Sequence, residues 1–424
     1  MKAWDQITHY AALDWARDHH DIVVVDRKGT IVTDFRIEHS AEGWNDLRSR
    51  LAEFPDLAIA IETNQGPAVE QMAAAGLQIY PVNPKSAKHY RDRKKPSGTK
   101  NDKLDAWAVA DALRVDGHAW RPLKAEDPLI VELRQLCRDE VGLIEQRTAL
   151  LAQLRHTLHS YYPAMLEAFE DWTFPSTWAF LIQFPTPAIL ASAGTRKWKR
   201  WLLTHNFHFP AANERRFAVL ARADELQGSP ATVAAKSLLA VALAKLLGTL
   251  EEQLRIYRRR IEERFKEHPD HALFGSLPAA AAKLAPRLLA ELGDDRARFP
   301  TPESLQCYAG TAPISYQSGQ TNRTHMRRAC NLELRQTVHL WASLSMRKSS
   351  WAYAYYLKHR KEGQSHSCAL RCLGQRWIKI VWKMWQTRTP YDAELHKRNQ
   401  LQHGSWVPQL QVSVWPGATH SHLE

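Results

Sequence analysis

Cysteine is scarce and scattered. The chain has 424 residues and 5 cysteines: Cys137, Cys307, Cys330, Cys368 and Cys372. An odd, widely spaced set makes no disulfide framework, so free thiols in a reducing cytoplasm are expected, and no signal peptide is read at the start. His366, Cys368 and Cys372 lie close together with His359 nearby. Their loose spacing and the helical reading of the stretch argue against a structural zinc. No apolar run reaches the roughly eighteen residues that a membrane span needs, so a soluble cytoplasmic protein with no membrane partner is expected. Also missing is a glycine-rich phosphate loop. Trp15-Ala16-Arg17 follows Asp14, which argues against an actin-like ATPase.

Acids are outnumbered. Lys and Arg total 57 against 45 Asp and Glu, a formal net charge of +12. That excess favours a polyanionic partner, with nucleic acid as the default candidate. Charged residues make up 24% and hydrophobic residues 44% of the chain, which is ordinary globular composition, and the length allows two or three domains.

The N-terminal part alternates strand and helix signals. Tyr10 to Trp15, Asp21 to Val25 and Thr30 to Ile37 are short apolar or β-branched runs, with Arg27-Lys28-Gly29 as a hairpin turn. An amphipathic stretch from Ala41 to Phe54 follows, then a strand from Asp56 to Glu62, a helix from Pro67 to Ala75, a strand from Leu77 to Val82 and a further helix. This order predicts a ribonuclease H-like mixed sheet flanked by helices. From Asp127 to about Tyr162 the period is helical, with Leu133, Leu136, Val141, Ile144, Leu151, Leu154 and Leu158 in one stripe. That stripe suits either a coiled coil with a partner or an intramolecular hairpin against residues 233–266. Residues 163–230 are rich in Trp and Pro and carry no readable motif. The expected division is a catalytic domain at 1–123, a helical coiled-coil or linker region with an insertion at 124–270, a helical C-terminal domain at 271–390 and a tail at 391–424.

Four carboxylates stand out. Asp14 lies in the apolar run Ala-Ala-Leu-Asp-Trp-Ala, where an unpaired charge is costly. Glu62 ends the run Ala-Ile-Ala-Ile, and Asp102 and Asp105 share one helix face. Asp102, Asp105 and Glu62 each have a plainer reading, as a cap, a first-turn acid and a strand-end residue respectively, whereas Asp14 has none. Together they form a site for a divalent cation such as Mg²⁺, with Mn²⁺ as the substitute. Between the fifth strand and this helix, a loop is expected to carry Lys85, Lys88, Arg91, Arg93, Lys94, Lys95 and Lys100, cations suited to a nucleic-acid backbone or to a solvated surface.

These residues, with Asn83-Pro84 and Lys100-Asn-Asp102-Lys-Leu-Asp105-Ala106, resemble the RuvC-like N-terminal domain of DEDD transposases of the IS110 family and its IS1111 branch. Leu288-Leu-Ala-Glu-Leu-Gly-Asp294, Tyr308-Ala-Gly310, Ala312-Pro313, Gln317-Ser318-Gly319 and Cys330-Asn331-Leu332 resemble that family's C-terminal domain. The resemblance implies an RNA-guided DNA transposase or recombinase. A structured non-coding "bridge" RNA would pair with element-end and target DNA. Asp14, Glu62, Asp102 and Asp105 would hold Mg²⁺, and Ser318 would attack the phosphodiester and link transiently to DNA. The two halves of a site would come from different protomers of a dimer or tetramer. Read from the residues alone, Ser318 also suits a plain turn, Ser315 is the rival nucleophile, and Arg323, Arg327, Arg328 and Arg335 beside Ser318 suit either phosphate binding or a solvated helix face. Ala279 and Ala281 stand where the family usually has glycines. Two other readings are open: a junction-resolvase-like nuclease that uses metal-activated water, and a non-catalytic nucleic-acid binder with a relic site.

Overall fold

The computed structural model describes residues 2–64, 66–94, 102–124 and 126–406, apart from the side chains of Lys94 and Asp102. Lys95 and Lys100 therefore lie outside the described residues, as do the last residues of the expected tail. The chain divides into two compact units, Met1–Ala125 and Glu126–Glu424.

In the first unit, strands β1 (His9–Trp15), β2 (His19–Asp26) and β3 (Ile31–Glu38) form an antiparallel meander. Helix α1 (Ala41–Leu51) leads to β4 (Leu57–Ile61), and α2 (Pro67–Ala74) leads to β5 (Gln78–Pro81). The sheet order is β3-β2-β1-β4-β5, with β4 parallel to both β1 and β5. This is the mixed sheet that a ribonuclease H-like chain builds. Side chains alternate across the sheet. Ala11, Leu13, Ile59 and Ile61 face one core with α1 and α2, while Tyr10, Ala12, Ala58 and Ala60 face the other.

That second face is covered by α3 (Pro84–Lys94) and α4 (Asp102–Asp116). Ala106, Val109, Ala110 and Leu113 recur at helical spacing along the packed side of α4. The basic segment expected as a loop is thus helix α3 through Lys94. Pro84 opens it, the Asn83 side chain accepts from the Lys85 N–H at 2.9 Å, and buried Ala87 anchors it to the sheet core.

The second unit is mainly helical. Helix α5 (Pro128–Tyr161) gives way to five short helices: α6 (Pro163–Ala168), α7 (Pro175–Gln183), α8 (Pro187–Ala193), α9 (Thr195–Thr204) and α10 (Pro210–Ala221). The prolines that look like breakers mostly start these helices, where the missing N–H costs nothing. Their aromatic residues, including Phe169, Trp172, Trp178 and Trp198, fill a core shared with one end of α5. The chain comes back beside its departure point, with the Gly228 N–H donating to the Tyr161 carbonyl at 3.3 Å.

Helix α11 (Pro230–Glu267) then runs antiparallel along α5. Ion pairs tie the two: Arg147–Glu251 at 2.8 Å, Arg258–Glu140 at 3.1 Å and Arg260–Glu132 at 2.8 Å. The α5 stripe therefore meets a partner helix within the chain. Contrary to the sequence expectation, α11 contains one window long and apolar enough to cross a membrane by length and composition alone.

Beyond α12 (His271–Gly275) lie α13 (Ala281–Leu292), α14 (Pro302–Tyr308), a β-hairpin of β6 (Ile314–Ser318) and β7 (Thr321–His325), then α15 (Leu332–Ser345), α16 (Ser350–Lys361), α17 (His366–Thr387) and α18 (Ala393–Gln402). Among the described residues, the hairpin is the one β element in a C-terminal domain expected to be helical. Trp341, Trp377 and Trp385 centre the core of this part.

The turn into α13 is strained. Ala279 and Ala281 both have positive φ, 60° and 42°, a region that L residues enter at a cost glycine does not incur. Ala279→Gly is expected to stabilise the protein by roughly 0.5–1 kcal/mol, the relieved strain exceeding the added freedom of the unfolded chain. Urea denaturation with an unchanged slope would record this as a higher midpoint, and a lower midpoint would contradict it.

Candidate active site

The parallel register of β1 and β4 pairs Leu13 with Ile61. Asp14 and Glu62 are each the next residue, so both emerge side by side at the same end of the sheet. Asp14 is thus near the end of its strand, and Glu62 lies one residue past β4. Both share the parity of Ala12 and Ala60, so both point to the face covered by α4. Asp105 lies one residue before Ala106 on the packed side of that helix and is buried.

The three carboxylates line one small, partly open cleft with Ala12, Leu13, Ala106 and Val109. Asp102 begins α4, one turn before Asp105, and its side chain lies outside the description. Among the described residues, no three His, Cys, Asp or Glu side chains already form a metal-ligand group. This holds for His359, His366, Cys368 and Cys372 as well.

Arg91, read from the sequence as a phosphate contact, turns inward from α3 and pairs with Asp105 Oδ2. The other oxygen, Asp105 Oδ1, is buried without a hydrogen-bond partner. Burial pushes the Glu62 carboxyl above its ordinary range, Arg91 pulls it down, and the negative charge of Asp105 pushes it up again. Lys85, Lys88 and Arg93 are exposed on α3.

Sequence reasoning did not find the support beneath Asp14. On the opposite face of the sheet, Trp15 stacks on His20 with ring centroids 4.5 Å apart. The buried His20 takes the Ala16 N–H on Nδ1 at 3.4 Å, and its Nε2 lies 3.1 Å from His39 Nδ1. Trp44 closes the group. A histidine in a half-polar strand carries no local signal of such a role; only the cross-strand pairing of Trp15 with His20 reveals it.

Burial, with His39 and His19, pulls the His20 pKa down to about 4, and Asp21 opposes this. The unfolded chain takes up that proton near pH 6.5. The His20 contribution to stability is therefore complete above about 6.5 and is lost as the pH falls toward 4. Between pH 7 and pH 5 the loss should be about 2 kcal/mol. His20→Gln is expected to remove this part of the pH dependence in thermal melts, and equal losses in both proteins would clear His20 as the cause.

In the second unit, Ser318 ends β6, and every residue of the hairpin is exposed. The expected turn narrows to Gly319-Gln320, where Gly319 has φ 56°. Arg323 lies on β7 and Arg328 is exposed. Arg327 is half-buried and its Nε donates to the Ala312 carbonyl at 3.4 Å. Arg335 lies on α15 with its guanidinium 3.7 Å from Cys330 Sγ, a structural contact. The hairpin root is held by Asn331. Its side chain caps α15 through the Leu334 N–H and donates to Glu291 at 2.7 Å and to the Tyr308 hydroxyl at 2.8 Å.

Comparison with known proteins covers both units. A DEDD-type IS110 transposase domain matches residues 11–163, and the domain described as "Transposase IS116/IS110/IS902 family" matches residues 271–357. The "Mini-circle putative transposase for IS117" of Streptomyces coelicolor is 33% identical over 401 residues, covering 92% of this chain and 97% of the relative. An IS900 insertion-element protein of 42 kDa from Mycobacterium paratuberculosis is 26% identical, covering 90% of this chain and 96% of the relative. "Putative transposase y4uE" of Sinorhizobium fredii is 34% identical over 39% of this chain and 48% of its own length.

Fold and comparison together define a transposase, an enzyme of DNA recombination whose DEDD-type domain implies use of a divalent metal. The chain belongs to the IS116/IS110/IS902 family.

Proposed function

We propose that this transposase cuts and rejoins DNA strands with a Mg²⁺ site built from Asp14, Glu62, Asp102 and Asp105 and with Ser318 as the nucleophile. The observation that carries the metal half is the shared cleft: three carboxylates distant in sequence line it, one with an oxygen that no hydrogen bond satisfies. Hard oxygen donors suit Mg²⁺ or Mn²⁺. The raised Glu62 and the orphaned Asp105 oxygen are what a divalent cation would relieve, so the residues fit the ion. When bound, Mg²⁺ would neutralise charge on the scissile phosphate.

The chain's own residues have distinct tasks in this reading. Asp14 and Glu62 present oxygens from rigid strand ends, and Asp105 presents one from α4. Arg91 neutralises Asp105 and is within the same group to meet a phosphate. The Ser318 hydroxyl attacks phosphorus, forming an Oγ–P bond as the bond to the departing deoxyribose oxygen breaks, the serine giving up its proton to water and the departing oxygen taking one from water. Arg323 and Arg328 offer charge to the backbone, as do Lys85, Lys88 and Arg93. A structured non-coding guide RNA transcribed from the element would choose the donor and target sites by pairing. The working assembly would be a dimer or tetramer. The positive net charge supports polyanionic partners of both kinds.

The test is to purify the protein with its co-expressed element RNA and incubate it with element-end and target DNA in Mg²⁺. A protease-sensitive protein–DNA adduct is the expected product. Recombination without any adduct would exclude the serine step and favour a metal-activated water, as in a junction-resolvase-like nuclease.

A further inference from the structure

The hairpin β6–β7 presents two chemically different faces. Its register pairs Ile314 with His325, Tyr316 with Arg323 and Ser318 with Thr321. Directly paired residues share a face, and alternate residues do too. One face therefore carries Ile314, Tyr316, Ser318, Thr321, Arg323 and His325. The other carries Ser315, Gln317, Asn322 and Thr324, with no charge and no ring. Tyr316 is 58% exposed, and its ring centroid is 6.5 Å from that of His325. No carboxylate occurs in the sequence between Glu303 and Glu333, the stretch that holds Arg323, Arg327 and Arg328.

A lone two-stranded hairpin has little stability of its own in water. Among the described residues this one is fastened near its root, by Arg327 to the Ala312 carbonyl and, further along, by Asn331 to Glu291 and Tyr308. Its outer length displays an aromatic ring, a guanidinium directly across from it and, one alternation further along, a serine hydroxyl. Two residues of strand separate Tyr316 from Ser318, about 7 Å. That is close to one nucleotide step in an unstacked strand.

We propose that this face grips an unpaired DNA strand. Tyr316 stacks on a base, Arg323 holds the adjoining backbone phosphate, and the following phosphate lies at Ser318. Bases stack on exposed aromatic rings with little regard to sequence, and a cation beside the ring holds the backbone. A base paired within a duplex does not offer its face, so the grip selects strands that have been opened. The opposite face lacks both ring and cation, which sets Ser315 apart from Ser318. The purpose of the grip rests on the Ser318 reading, whereas its existence is measured without any cleavage.

The experiment uses the full chain in EDTA, so that no metal-dependent cutting occurs. Fluorescence anisotropy would follow binding to a short single-stranded oligodeoxynucleotide and to a duplex of the same sequence. Tyr316→Ala is expected to weaken single-strand binding about tenfold and to leave duplex binding unchanged, and Tyr316→Phe is expected to restore wild-type affinity. Arg323→Ala should lower the salt dependence of single-strand binding by about one released counterion. Unaltered single-strand affinity in Tyr316→Ala would overturn the proposal, as would an equal loss on duplex. A change in oligomeric state in Tyr316→Ala would overturn it in favour of a second copy on this face. Thermal melts confirm folding of each variant. If the serine reading fails, Ser318→Ala still cleaves in Mg²⁺, a result independent of these affinities.

Discussion

Asp14→Asn is expected to lower strand cleavage at least about a thousandfold while leaving the N-terminal unit folded. Asparagine has nearly the shape of aspartate, and the strand end that carries it is held by pairing to both β2 and β4. What changes is charge. The cleft loses one anionic oxygen from the set of Asp14, Glu62 and Asp105, and an ion that needs hard anionic ligands binds more weakly and polarises phosphate less well. Stability should change little, because asparagine fills the same space at a strand end that is paired on both sides. A melting temperature close to wild type, together with lost cleavage, is the signature of a catalytic rather than a structural acid. Glu62→Gln should behave alike. Full cleavage by Asp14→Asn in Mg²⁺ would sink the metal site.

Ser318→Ala is expected to abolish the covalent protein–DNA adduct completely and to reduce recombination to background. The serine is on an exposed hairpin, so its loss should leave the unfolding free energy within about 0.5 kcal/mol of wild type. Ser315→Ala is the control, and it should form the adduct normally because Ser315 lies on the other hairpin face. Gel shift before and after protease, with labelled element-end DNA, distinguishes the outcomes. A nuclease using water would keep cutting in Ser318→Ala, and adduct formation there would move the nucleophile elsewhere. Mixing the Asp14→Asn and Ser318→Ala proteins is expected to restore partial cleavage, because each supplies the half the other lacks when protomers share their sites.

The N-terminal sheet was readable because its chemistry repeats at short range. Apolar strand runs end at Gly29 and at charged residues, and the parallel placement of β1 beside β4 then brings Asp14 and Glu62 to one end. Helix α3 was not readable as a helix because Ala87 is its one fully buried side chain among those described, leaving almost no apolar stripe. The pairing of Arg91 with Asp105 joins two helices across an intervening segment, a contact that no local pattern encodes. In the hairpin the signal failed for the same reason, carried further. With neither face buried, strands β6 and β7 show no hydrophobic alternation, and only the Gly319 turn was visible. Residues 163–230 read as silence because their aromatic side chains bury on several short helices at once, so no single period dominates.

The near-contact of Gly228 with Tyr161 means that helices α6 to α10 leave and rejoin the α5–α11 pair through one doorway. Such a side room can be walled off. A transposase shortened by joining α5 to α11 through a tight turn would keep its carboxylate end and its hairpin intact. Such a shortening would bare Leu154, Leu158, Leu243 and Leu247 of the helix pair, which the annex now buries, so those positions would have to turn polar at the same time.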